Sequence, residues 1–159
     1  MANYYTQASF IFKLTTEQAL FAIEVAKCLE DERFQQESFK THSAIFEFSA
    51  LEVAKLFASK SDNYEASNYE LEFDIEIDSE GVWISHDEVI NTDNASIFIQ
   101  IILNYFQIDT YVFFEACTFC SKKCLDGFSG IAYFITKDEI KWQSTHSWVN
   151  QQKKLFEHQ

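Results

Sequence analysis

The sequence predicts an α+β fold, and two kinds of residue pattern support this prediction. Several segments alternate apolar and polar residues with a period of two, which is typical of half-buried strands. Other segments space apolar residues three or four positions apart behind a capping box, which is typical of amphipathic helices. The chain has 159 residues, 47% of them apolar, enough for one core and too few for two ordinary domains. We therefore expect a single domain over residues 1–159.

A strand followed by a helix opens the predicted order. The strand covers residues 9–14, where Phe10, Phe12 and Leu14 share one face. Residues 15–18, Thr-Thr-Glu-Gln, form a capping box, so a helix begins there and runs to about residue 32. The apolar stripe predicted for this helix consists of Ala19, Leu20, Ile23, Ala26 and Cys28 or Leu29.

Residues 33–69 allow two interpretations. In one, residues 44–48 are a short strand and the Ser-Ala-Leu-Glu box at Ser49 opens a helix that ends near Ser59. In the other, a single longer helix fills the stretch. Residues 60–63 are polar and are predicted as a loop.

The most regular pattern is a hairpin in the middle of the chain. From Glu70 to Asp78 carboxylates and apolar residues alternate without a break. This pattern predicts a strand with one apolar face and one acidic face. The apolar face consists of Leu71, Phe73, Ile75 and Ile77. Residues 78–81 supply turn chemistry, and residues 82–84 return as the second strand.

The remaining elements complete a recognisable order. Residues 95–106 are predicted as a helix capped by Asp93 or Asn94, and a strand is the alternative for this segment. Strands follow over residues 110–116, 131–136 and 140–142, with a turn at 137–139. A last helix is opened by Thr145 or Ser147. The order β-α-β-β-α-β is that of ferredoxin-like two-layer sandwiches, here followed by a hairpin and a helix. In that topology the acidic strand lies at a sheet edge.

The net charge of −13 comes from one stretch of the chain. Residues 61–121 contain 13 carboxylates and no Lys or Arg, whereas the other 98 residues carry 12 acidic and 12 basic side chains. Direct nucleic-acid binding is not expected, because phosphates must be neutralised by cations. Anionic membrane surfaces are excluded for the same reason. The longest apolar run has five residues, far below the roughly 20 that span a bilayer.

The carboxylates of the hairpin and the residues after it form a candidate binding surface. We call this set the acidic surface, and its members are Glu70, Glu72, Asp74, Glu76, Asp78, Glu80, Asp87 and Glu88. One hypothesis is a non-enzymatic inhibitor, of the anti-CRISPR, anti-restriction or immunity type, whose carboxylates engage a basic nucleic-acid-binding surface of an enzyme. The alternative is that these charges only prevent an edge strand from pairing with another chain.

Three of the four cysteines are close in sequence, at Cys117, Cys120 and Cys124. A structural zinc site needs four soft ligands, and no fourth belongs to a paired motif, so no metal or other cofactor is predicted. No secretory leader is expected, and in a reducing cytosol these residues are thiols. The second functional hypothesis is a small cytosolic enzyme, or a thiol- or zinc-dependent sensor, that uses this cluster. Its candidate loop consists of Cys120, Ser121, Lys122 and Lys123.

The residues around this loop also carry a resemblance to a protein family. Cys120-Ser121-Lys122 is followed by Asp126-Gly127-Phe128-Ser129-Gly130, an apolar strand, and then Trp142 and Trp148. Over roughly residues 80–150 this resembles small bacterial, plasmid and phage proteins of unassigned activity with a Cys-Ser-Lys or Cys-Ser-Arg loop before a Phe-Gly-Gly segment. Here Lys123-Cys124 stands in place of Pro-Arg, and Ser129 in place of Gly. The resemblance implies a mobile-element setting and a shared loop after Cys120.

Overall fold

The chain folds into helices and antiparallel strands, which confirms the α+β class. The computed structural model describes residues 3–31, 33, 34, 36, 39, 40, 47–61, 70–125 and 127–158. Its elements, in chain order, are β1 (Tyr4–Gln7), β2 (Ser9–Lys13), α1 (Thr16–Leu29), α2 (Glu47–Lys60), β3 (Asp74–Asp78), β4 (Gly81–Ser85), α3 (Thr92–Tyr105), β5 (Tyr111–Cys120), β6 (Phe128–Thr136), β7 (Ile140–Ser144) and α4 (Thr145–Glu157).

The strands form two sheets that share one stretch of chain. One sheet has the order β1-β5-β6-β7 and the other the order β2-β4-β3. Only Ala8 separates β1 from β2, so the same extended segment pairs first with β5 and then with β4. The predicted order occurs as β2, α1, β3, β4, α3, β5, with β1 and α2 added to it. However, β5 pairs with β1 and not with β2, so no single four-stranded ferredoxin-like sheet forms among the described residues.

Helix α1 packs on β3 and β4 of the smaller sheet, α3 packs on β6 and β7 of the larger sheet, and α2 packs against both helices. The buried cluster includes Phe21 and Leu29 of α1, Phe57 of α2, Phe98 and Ile102 of α3, and Phe12, Ile84, Phe114 and Ile135 of the strands. Phe10 of β2 stacks on Phe114 of β5 with ring centroids 4.4 Å apart. The core is therefore continuous beneath the division between the two sheets.

The predicted acidic strand is shorter in the structure than in the sequence pattern. Regular pairing covers only Asp74–Asp78, at the edge of its sheet as expected, because Glu72 has a φ of +57° and interrupts the extended backbone. Leu71 and Phe73 are buried as predicted. The prediction for Ile77 is wrong: its side chain is 54% exposed at the turn end of an edge strand, where it has a neighbouring strand on one side only.

Two predictions for the first half of the helical layer need correction. The capping box at Thr15 is confirmed, but Leu20 is 50% exposed, and α1 buries Phe21 and Val25 instead. Helix α2 already begins at Glu47, so Ser49 lies inside it and does not cap it. The strand interpretation of residues 44–48 is wrong for the last two residues, and residues 44–46 lie outside the described part of the chain.

The later elements were predicted in type, with shifted ends. Helix α3 shows that the helix interpretation of this segment is right and the strand alternative is wrong. The cap of α3 is Asn91, whose side-chain oxygen accepts a hydrogen bond from the Asn94 amide at 2.9 Å. Strand β5 continues four residues past its predicted end, to Cys120, and β6 begins three residues early, at Phe128. Helix α4 is capped by Ser144.

The buried side chain of Tyr133 connects helix α3 to the larger sheet, β1-β5-β6-β7. The Tyr133 hydroxyl donates a hydrogen bond to Asp93 Oδ1 at 2.7 Å and lies 3.1 Å from Thr92 Oγ1. Burial raises the pKa of Tyr133 to about 12, the Thr92 hydrogen bond opposes this shift, and Asp93 adds to it. The protonated hydroxyl is therefore the form that the fold stabilises.

Glycine 81 is predicted to be intolerant of any side chain. Its φ is +149°, and a Cβ there would collide with the Phe12 carbonyl oxygen and lie 2.5 Å from the Leu14 amide nitrogen. We expect Gly81→Ala to lower the free energy of unfolding by at least about 2 kcal/mol in urea titrations. Gly130→Ala is the matched control, since its Cβ would meet Thr145 Cγ2 at an ordinary 3.4 Å. Equal effects of the two variants would contradict this assignment.

Stability is expected to fall at alkaline pH through Tyr133. Folding raises the pKa of Tyr133 from 10.0 to about 12. The contribution of Tyr133 to the free energy of unfolding is therefore complete below pH 10 and is lost as the pH rises through about 12. In urea titrations at successive pH values, Tyr133→Phe should show a shallower loss above pH 10 than the wild type. An unchanged alkaline slope would show that Tyr133 is not the group responsible.

Candidate functional site

The sheet face opposite helices α1, α2 and α3 carries carboxylates beside exposed apolar side chains. Residues directly opposite each other on antiparallel strands share a face. On this open face of the smaller sheet, Glu76 lies opposite Trp83, and Trp83 lies opposite Ile11. Trp83 is 42% exposed, and its Nε1 donates a hydrogen bond to Ser9 Oγ at 2.8 Å. In the next row Asp74 lies opposite Ser85.

The same face of the larger sheet presents aromatic rings. Phe113 lies opposite Phe134, which lies opposite Lys141. Phe113 is 65% exposed, and Tyr111 stacks on Phe134 with ring centroids 5.0 Å apart. Exposed apolar groups that adjoin one another mark binding surfaces more often than isolated ones do. We therefore regard the open face as the candidate site.

A cavity of about 540 Å³ lies on this face where the two sheets divide. Its lining includes Gln7, Ser9, Trp83, Ser85, Asp87 and Glu115. Trp83 and Ser85 are the strand partners of Glu76 and Asp74. Four carboxylates, those of Asp74, Glu76, Asp87 and Glu115, are therefore gathered around this pair of residues.

Sequence reasoning missed Glu115, although a signal for it was present. Val112, Phe114 and Ala116 are buried, so the period of two along β5 turns Glu115 to the opposite face. None of Asp74, Glu76, Asp87 and Glu115 forms an ion pair with any residue that the structure describes.

The other members of the acidic surface do not join this group. Glu80 pairs with Lys13 at 3.1 Å, and Asp78 accepts a hydrogen bond from the Glu80 amide within the turn. Glu72 accepts a hydrogen bond from Asn91 Nδ2 at 2.6 Å, so it secures the loop before α3. Glu70 and Glu88 are exposed outside the paired rows of the open face.

Like charges lie close together at the acidic edge of the molecule. The pKa of Glu30, at the end of α1, is raised first by burial and then by repulsion from Asp74. Repulsion of this kind opposes folding, and it is relieved when a cation or dissolved salt approaches. The carboxylates of this edge therefore repel one another in the folded chain.

The three clustered cysteines do not converge on one point. Cys117 is exposed on the open face, whereas Cys120, three residues along the same strand, is buried on the other face. Among the residues that the structure describes, no group of three His, Cys, Asp or Glu side chains is placed to hold a metal ion. Ser121, Lys122 and Lys123 follow β5 as an exposed loop.

The comparisons with known proteins add no relative. No protein-family model, curated sequence or solved structure matched this chain. No helix in the described residues combines the length and apolar character needed to cross a bilayer.

Thermal stability is expected to rise with added NaCl, because salt screens the repulsion among the carboxylates within a Debye length of about 8 Å at 0.15 M. Melting curves at low and moderate NaCl measure this effect. Replacing Asp74 by Asn together with Glu76 by Gln should reduce the salt-dependent rise. The control is Asp138→Asn with Glu157→Gln, which changes the net charge equally away from the open face. A midpoint that salt does not raise would contradict the account.

Proposed function

We propose that the protein is a non-enzymatic binding protein whose open sheet face engages a basic surface of another protein. The partner class that fits is a nucleic-acid-binding enzyme, whose cationic groove accepts carboxylates in place of phosphates. The observation that carries this proposal is the placement of Asp74, Glu76, Asp87 and Glu115 around the exposed ring of Trp83.

This arrangement combines the two features that protein interfaces use. An exposed tryptophan surrounded by polar groups is a typical central anchor, since burying its ring contributes much of the binding energy. Carboxylates without internal ion pairs attract a cationic partner over a distance and raise the association rate. Apolar surface continues toward Phe113 and Phe134, so the contact area extends beyond the charged region.

Edge protection alone accounts for only part of the charge. Strand β3 is an edge strand, and charges on Asp74 and Glu76 do discourage pairing with another chain. Asp87 follows β4, and Glu115 lies in β5 opposite Ala132 of β6, two residues from Cys117, where pairing with β1 ends. Asp87 lies outside the strands, and the unpaired side of β5 at Glu115 faces the cavity between the two sheets and not the outer edge of a sheet. These two positions therefore support a binding role for the face as a whole.

The biological setting belongs to the same proposal. The Cys120-Ser121-Lys122 resemblance points to a mobile element, where an inhibitor of the anti-CRISPR, anti-restriction or immunity type acts in the cytosol of the host. The alternative, an enzyme or sensor built on Cys117, Cys120 and Cys124, has less support because Cys117 lies on the opposite face of the strand from Cys120.

The test compares the association kinetics of matched variants. Affinity capture from the native host, with mass spectrometry, first identifies the partner. We then expect Asp74→Asn with Glu76→Gln to slow association with that partner about tenfold at low ionic strength, and to reduce its dependence on salt. We expect Trp83→Ala to act mainly on the dissociation rate.

Asp138→Asn with Glu157→Gln serves as the control, because it changes the net charge equally and leaves the open face intact. Circular dichroism of each variant checks the fold. Wild-type association by the Asp74 and Glu76 variant at low salt, or an equal loss in the control, would refute the proposal.

A further inference from the structure

Two cysteines converge on one glycine at the end of strand β5. Cys120 is the last residue of β5 and is buried, whereas Cys124 is exposed in the loop that follows. The point where a Cβ on Gly127 would lie is 2.5 Å from Cys124 Sγ and 3.0 Å from Cys120 Cβ. The space left by the absent side chain of Gly127 is therefore where the Cys124 sulfur approaches Cys120.

Asn3 and Tyr4, at the start of β1, hold this loop in place. The Ser121 amide donates a hydrogen bond to the Asn3 carbonyl oxygen at 2.9 Å, and the Asn3 amide donates one to Ser121 Oγ at 3.0 Å. The Tyr4 hydroxyl lies 3.9 Å from Cys124 Sγ. These contacts fix both ends of the short segment that separates the two cysteines.

The geometry suits a bond between these two sulfurs and not one between Cys117 and Cys120. A disulfide needs Cβ atoms about 3.5–4.5 Å apart and Cα atoms within about 7 Å. Because Cys124 Sγ and Cys120 Cβ both lie within 3.0 Å of one point, at most about 6 Å separates them, which places the two side chains within reach of each other. Cys117 and Cys120 are three residues apart on an extended strand, so about 10 Å separates their Cα atoms.

We propose that Cys120 and Cys124 form a dithiol site that hydroperoxides oxidise to an intramolecular disulfide. The exposed Cys124, as its thiolate, attacks the terminal oxygen of the hydroperoxide, whose O–O bond breaks. The alkoxide takes a proton and leaves as the alcohol, or as water from hydrogen peroxide, while Cys124 becomes a sulfenic acid.

The buried thiol completes the reaction. Cys120, as its thiolate, attacks the Cys124 sulfur, the S–S bond forms, and the displaced hydroxide takes a proton as water. In balance, two thiols and one hydroperoxide give one disulfide, one alcohol and one water. The bond closes a small ring through Ser121, Lys122 and Lys123 and so fixes the loop that carries the two lysines.

The chain contains two internal controls. Cys117 is exposed on the opposite face of β5 from Cys120, so we expect it to form a sulfenic acid and no disulfide with Cys120. Cys28 is buried, and burial, Glu24 and Asp31 raise its pKa to about 12. Its thiol is therefore protonated at neutral pH and unreactive.

In the experiment, the folded, reduced chain is treated with one equivalent of hydrogen peroxide. Remaining thiols are then blocked with an alkylating reagent, and the intact mass and the tryptic peptides are measured by mass spectrometry. We expect loss of two hydrogens, two fewer alkylated cysteines, and a Cys120–Cys124 linkage between the peptides that trypsin separates at Lys122 and Lys123. Cys117→Ser should keep this linkage. Cys120→Ser should abolish it and leave a Cys124 sulfenic acid that dimedone traps.

Gly127→Ala tests the geometry independently of the sulfurs. Its Cβ would occupy the space of Cys124 Sγ, so disulfide formation should slow at least tenfold while alkylation of exposed Cys124 continues. Circular dichroism confirms that each variant is folded. A linkage that involves Cys117, a disulfide between two chains, or no Cys120–Cys124 bond in the wild type would overturn the proposal. The site is independent of the open face, so loss of the disulfide leaves binding to a basic partner unaffected.

Discussion

The structure depends on one extended segment that serves two sheets. Residues Tyr4–Gln7 pair with β5, and Ser9–Lys13 pair with β4, with buried Ala8 between them. Because this segment changes partner at Ala8, β2 and β5 are not hydrogen bonded to each other. A cavity of about 600 Å³ at this division is lined by Phe10 and Lys13 on one side and by Tyr111 and Phe113 on the other. The core continues beneath the division through the stacked rings of Phe10 and Phe114.

Helices α1, α2 and α3 lie on one side of the two sheets, and the opposite side carries the candidate site. These three helices share one buried cluster with Phe12, Ile84 and Phe114, while the other face of the same strands retains exposed Trp83 and Phe113. Asp87, in the loop after β4, and Glu115 of β5 line a common cavity at this division. The charge excess of residues 61–121 is thus partly gathered on an apolar surface, and partly used in turns and loops such as those of Asp78 and Glu72.

Local chemistry in the sequence predicted the individual elements well. The capping box at Thr15 and the hairpin around Gly81 depend on neighbouring residues, and both are confirmed. Strand β1 was missed, although Tyr4 and Tyr5 are typical strand residues. The exchange of partners at Ala8 was not predictable, because an alternating pattern specifies a face and not the strand that pairs with it. The convergence of Cys120 and Cys124 likewise depends on how the loop folds back to Gly127, which their spacing does not specify.

Hydroxyl-radical footprinting of the isolated protein tests most directly whether the sheet face is open. Phe113 and Phe114 are a matched pair, adjacent in sequence and identical in intrinsic reactivity, but 65% and 2% exposed. The account predicts that Phe113 is oxidised several-fold faster than Phe114, and that Trp83 is also oxidised readily. Equal protection of Phe113 and Phe114, together with slow oxidation of Trp83, would show that the face is covered and would contradict the account.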